Sequence, residues 1–128
     1  MRAQYTPFLI ISASQDNISR NAELSCQLAS ELIASEIKHK RCVGVYKGDK
    51  ETSFLLKDNK KNRAIVEYFL AKYSQECYLE MSNEGRGSLV YPDGKTEYIG
   101  MLNTGKDVVK RKNFTYIPET YTAFDFVR

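Results

Sequence analysis

The stretch "VGVYKGDKETSFLL", Val43 to Leu56, reads as a β-hairpin, and the fold is worked out from it. Val43 and Val45 share one face, Phe54 and Leu56 share another, and Lys-Gly-Asp-Lys fills the turn. Tyr46 and Glu51 flank that turn, one on each side. From residue types alone they are an ordinary cross-strand pair. Two halves of a binding site is the competing reading.

Working outward, "FLIIS" (Phe8 to Ser12) is a continuous apolar run suited to a strand buried on both faces. From about Ser19 to Ile37 the pattern is helical, with Leu24, Leu28 and Leu32 at i+4; Asp16, Asn17 and Ser19 are alternative N-caps. "KDNKKN" (57–62) offers Asp58 or Asn59 as cap to a second helix running to about Ser74. Its stripe is Ile65, Phe69 and Tyr73, with Val66 and Leu70 beside it. "ECYLEM" (76–81) gives a fourth strand. After the loop "SNEGRG", Pro-Asp-Gly joins "SLVY" to "KTEYIGML" in a second hairpin. Beyond Gly105 regularity fades, and Phe114, Tyr116, Ile117 and Phe124 suggest a tail that packs on something.

The order β-α-β-β-α-β followed by a C-terminal hairpin predicts an α+β, ferredoxin-like antiparallel sheet with two helices on one face. One domain over residues 1–128 is expected, with a core of about 8–102 and a C-terminal extension over 103–128. Tyr46, Tyr78, Tyr91 and Tyr98 would then line the bare face, so a sheet-mediated oligomer is expected.

A hydrophobic content of 42% supports a core, and no run approaches the ~20 apolar residues of a membrane helix. The amino-terminal segment lacks a cleavage signature, and a soluble, cytoplasmic protein is expected. Cys26, Cys42 and Cys77 are odd in number without CxxC spacing; they read as small buried residues, not as a disulfide framework or zinc site. The one histidine, His39, lies in "KHKR" (38–41). With a net charge of +3, that cluster and "KDVVKRK" (106–112) read as solvated loops. Neither a nucleic-acid partner nor a membrane is expected.

Four segments in order resemble the bacteriophage enzymes that degrade S-adenosylmethionine, described both as hydrolases and as lyases: "LIISAS" (9–14), "GVYKG" (44–48), "CYLEM" (77–81) and "SLVYPDG" (88–94). This chain departs from that pattern in a shorter connection between the tyrosine strand and its glutamate, and in Ser14 where a phenylalanine follows Ser-Ala. The resemblance implies a homotrimer with sites between subunits, no metal and no cofactor. It implies cleavage of the substrate's methionine Cγ–sulfur bond, giving 5′-methylthioadenosine with homoserine lactone or homoserine, and thereby a defence against restriction and methylation systems.

S-adenosylmethionine carries a sulfonium, an ammonium and a carboxylate. Its own leaving group is good, so orientation can supply the catalysis. In that role Glu51 anchors the ammonium, while Tyr46 faces the sulfonium with its ring or holds the carboxylate with its hydroxyl. Ser12, Ala13 and Ser14 hold the methionine moiety or nucleoside through backbone groups, and Asn83 completes the pocket. A noncatalytic nucleotide- or S-adenosylmethionine-sensing trimer of the nitrogen-regulatory type is the alternative.

Overall fold

The computed structural model describes residues 4–15, 18–46 and 48–128, with Ile18 and Tyr46 described by their backbone alone. The cap candidates Asp16 and Asn17 and the turn residue Lys47 lie outside the described residues. The strands are β1 (Phe8–Ser12), β2 (Lys40–Tyr46), β3 (Asp49–Lys57), β4 (Tyr78–Met81), β5 (Arg86–Val90), β6 (Thr96–Thr104), β7 (Asn113–Ile117) and β8 (Thr122–Val127). Two helices join them, α1 (Asn21–Ala34) and α2 (Lys60–Lys72).

Among the described residues these eight strands close into an antiparallel barrel in the order β1-β3-β2-β7-β8-β6-β5-β4, with β4 returning to β1. The open ferredoxin-like sheet is therefore corrected to a closed barrel. The order along the chain through β4 is as read. The segment taken for a C-terminal extension supplies β7 and β8, which pair with β2 on one side and β6 on the other. Closure removes both sheet edges and buries the second face against itself. Inside, Cys42, Ile117 and Phe124 are buried, packed by Phe8, Ile10, Leu55, Leu102 and Phe126.

The tyrosine-lined bare face does not exist. Tyr78 points to the helices, buried in their core, and accepts a hydrogen bond from Arg63 Nη1 at 3.2 Å. The Arg86 guanidinium lies over the Tyr98 ring, 4.5 Å from its centre.

α1 and α2 pack outside the barrel on the alternate residues of β1 and β3. Leu9, Ile11, Leu28, Leu32, Leu56 and Val66 are fully buried there, each contributing about 1.5–3 kcal/mol of burial. Asn59 caps α2 by accepting from Asn62 N at 2.8 Å. α1 has no side-chain cap at Arg20, and Ser19 belongs to the 3-10 turn Ile18–Arg20 before it. Asn21 instead bonds both main-chain groups of Gln15. Lys72 and the Tyr73 hydroxyl both donate to the Glu31 carboxylate, tying the helices together. Arg63 joins α2 to β4 through Glu80 at 2.8 Å and to the connection after β3 through Asp58 at 2.7 Å.

Two glycines keep close approaches to β8 open, Gly100 on β6 and Gly87 on β5. Gly100 has φ +126°, and a Cβ there would stand 2.5 Å from the Val127 carbonyl carbon; one on Gly87 would stand 2.4 Å from the Phe126 ring.

Candidate active site

Strand direction decides which residues can meet. The β2–β3 turn and the β5–β6 turn emerge at one end of the barrel, beside the carboxyl end of β1. The β4–β5 turn emerges at the other.

In the hairpin, Tyr46 pairs with Asp49 and Asn113, and Glu51 stands opposite Gly44. Tyr46 and Glu51 are thus diagonal neighbours on the ladder, not direct partners, in positions whose Cβ atoms usually lie about 7–8 Å apart. The Tyr46 side chain itself lies outside the described residues. Val43 and Val45 alternate in step with Phe54 and Thr52 on one side of the ladder, where the sequence suggested two faces. Gly44 adds no side chain opposite Glu51, so the exposed carboxylate has open space on that side.

Ser12 Oγ donates to Thr52 O at 2.9 Å and accepts from Ser14 N at 3.0 Å, which places the end of β1 against the residue after Glu51. Ala13 is fully buried. The Ser14 carbonyl accepts from Gln75 Nε2 at 2.9 Å. With these groups engaged, the segment offers a ligand a fixed shape more than loose donors.

Asn83 does not join them within one chain. It sits in the β4–β5 turn, where its carbonyl accepts from Tyr5 N at 2.8 Å. Ser12 is four strand residues from the level of Met81, roughly 13 Å at ~3.3 Å per residue. Asn83 lies farther still.

The sequence reading passed over what the second hairpin brings to the Glu51 end. Burial, then the charges of Glu76, Glu51 and Glu97 in that order, push the Cys77 thiol upward. Glu51 on β3, Glu76 just before β4 and Glu97 on β6 all lie toward this end of the barrel. Tyr91 OH donates to Glu97 Oε1 at 3.0 Å, and this bond, ahead of burial, raises the phenol's pKa. An open groove of about 720 Å³ runs beside them, lined by Glu76, Tyr91, Asp93, Lys95, Thr96 and Glu97. Glu97 is exposed, with Tyr91 half-buried beside it. The signal was available in the strand order, since alternating directions put both hairpin turns at one end.

This end carries carboxylates interleaved with Lys50 and Lys95, and burial together with the neighbouring carboxylates favours the protonated form of the Cys77 thiol. Cys42 is buried in the barrel and its thiol is pushed up to about 11, mainly by that burial. Cys26 is exposed, against the expectation that all three cysteines are buried. Among the described residues no group of three or more His, Cys, Asp or Glu is arranged to hold a metal, and no helix is long and apolar enough to cross a membrane.

Residues 9–125 match the family model described as the S-Adenosylmethionine lyase family. No curated protein matches the chain significantly.

Proposed function

The chain belongs to the S-adenosylmethionine lyase family and is an enzyme acting on S-adenosylmethionine; from that premise we propose that it cleaves this substrate by internal displacement at the end of the barrel that carries Glu51. The observation that carries the reading is that the β2–β3 and β5–β6 hairpins bring Glu51 and Glu97 to the same end of the barrel as the carboxyl end of β1. A substrate with two cationic centres is drawn to such an end, and its own carboxylate supplies the nucleophile.

In the reaction, a substrate carboxylate oxygen bonds to Cγ while the Cγ–sulfur bond breaks and its electron pair neutralises the sulfonium. The products are neutral 5′-methylthioadenosine and homoserine lactone, which keeps the ammonium. No proton moves, so no general base is required. Glu51 holds the ammonium by a charge-assisted hydrogen bond, and Tyr46 faces the sulfonium or the carboxylate. Ser12, Ala13 and Ser14 shape the wall that receives the rest of the substrate. Orientation of the carboxylate behind Cγ supplies the rate enhancement.

A homotrimer with sites between subunits belongs to the same proposal. The bare sheet that first motivated it is gone. Its support is now the resemblance and the placement of Asn83: a pocket using both Asn83 and Glu51 must draw them from different chains. Depletion of S-adenosylmethionine would starve restriction and methylation systems. Neither the open sheet nor the absence of catalysis assumed for a nitrogen-regulatory sensor finds support here.

Incubating the protein with S-adenosylmethionine and following 5′-methylthioadenosine by chromatography tests the reaction. Stoichiometric release is expected. Consumption of substrate without methylthioadenosine would overturn the proposed cleavage.

A further inference from the structure

The end of the barrel opposite Glu51 has its own electrostatic character, and it is basic. The sequence shows "KHKR" and "KDNKKN" as separate solvated runs. The fold makes them neighbours. Lys40 opens β2 opposite Leu55, and Lys57 closes β3 two residues later on the same alternation. That is a diagonal pair with Cβ atoms about 7–8 Å apart. Lys38 precedes Lys40, while Lys60 and Lys61 begin α2 just after Lys57. All five lysines are exposed.

These lysines sit where they work against folding. Like charges on adjacent strands repel. Lysines in the first turn of a helix oppose its dipole, and α2 has no acidic residue in that turn. Of the acidic residues at this end, Asp58 is committed to Arg63 at 2.7 Å, while Glu36, Glu84 and Glu119 are exposed on a preceding loop and two other turns and leave the lysines in excess. Among the described residues none of the five lysines takes part in an ion pair. Local rules broken together at one place point to function.

We infer that this end docks the phosphodiester backbone of a nucleic acid. The lysines are point charges spread over two strand ends and a helix start, joined by the exposed Arg41 of the run 38–41, which suits sequence-independent phosphate contact. An anionic membrane surface fits less well: Ile33 near the end of α1, Tyr121 in the β7–β8 turn and Tyr5 are exposed at 68%, 84% and 41%, single side chains on separate segments against five lysines.

The test measures fluorescence anisotropy of a labelled duplex DNA and a duplex RNA with the whole protein, from about 50 mM potassium chloride upward. Binding is expected, with log K falling against log salt at a slope of about −4 for four to five neutralised phosphates. The combined variant Lys38→Gln, Lys40→Gln, Lys57→Gln, Lys60→Gln should weaken it at least tenfold. Lys106→Gln with Lys112→Gln should leave it within twofold. Both variants should degrade S-adenosylmethionine at the parental rate, which reports folding; the double variant Lys38→Gln, Lys57→Gln serves if the fourfold one fails. No binding at low salt, or equal weakening by the control variant, overturns the inference. So does binding to phosphatidylserine vesicles in place of both duplexes.

Discussion

Tyr91 donates its hydroxyl to Glu97 across the mouth of the second hairpin, 3.0 Å from oxygen to oxygen, and so fixes a carboxylate at the end of the barrel that carries Glu51. An exposed carboxylate contributes to binding through a screened field of about 1 kcal/mol. Glu97→Gln should therefore raise KM for S-adenosylmethionine about fivefold while kcat stays within twofold. Tyr91→Phe should give a smaller change in the same direction. A fall in kcat with KM unchanged would mean that Glu97 acts at the reacting atoms.

Glu51 is placed to do more. If it holds the ammonium, Glu51→Gln keeps the shape and loses a charged hydrogen bond worth about 1.5–3 kcal/mol. Turnover at limiting substrate should fall at least tenfold in a protein with native far-ultraviolet dichroism. Unchanged turnover would transfer the role to Glu97. Glu84 cannot take the role within the same chain, because the β4–β5 turn lies at the far end.

The hairpin, both helices and their buried stripes were legible because periodicity reports which side of an element is buried. Phe8–Ser12 and the Asn59 cap are where the pattern put them. The closing strands were not legible. Along β7, Asn113 and Thr115 alternate with Phe114 and Tyr116, and the apolar pair faces away from the interior in step with Val45 and Val43. A strand whose apolar residues turn outward does not announce an inner core. Of the candidate site, strand direction puts Tyr46, Glu51 and Ser12 at one end of the barrel and Asn83 at the other, a separation that loop composition alone does not reveal.

Barrel closure rests on the β6–β8 seam. Gly100→Ala forces a side chain into left-handed backbone and into the main chain at Val127. Strain of ~1–3 kcal/mol and overpacking of similar size add, so a loss of at least about 2 kcal/mol is expected in urea unfolding. A loss below about 0.5 kcal/mol would show that the seam can open at little cost.

Stability should also depend on pH through the helix pair. Burial favours the neutral form of Glu31, but hydrogen bonds from Lys72 and Tyr73 prevail and hold its pKa below the ordinary 4.5. A pKa lowered by folding contributes stability above the unfolded value, and that contribution disappears as pH falls through the folded one. Wild-type protein should exceed Glu31→Gln in unfolding free energy at neutral pH, with the gap narrowing below about 4.5. A gap that is constant down to acid pH would show that the carboxylate charge is not what joins α1 to α2.

Internal displacement and hydrolysis differ in where the new carbon–oxygen bond gets its oxygen. A Glu51 paired to an ammonium is a poor base for activating water, because the pairing favours its charged form. Tyr91 and Cys77 at the same end are both pushed toward their protonated forms. With Glu51 engaged by the ammonium, the substrate itself brings a carboxylate that is already ionised and can act as the nucleophile. In oxygen-18 water, quenched within the first turnovers, the product should be homoserine lactone without label, and homoserine should appear later as the lactone opens in bulk solvent. Labelled homoserine from the first turnover, with no lactone before it, would make water the nucleophile and return the search to a general base.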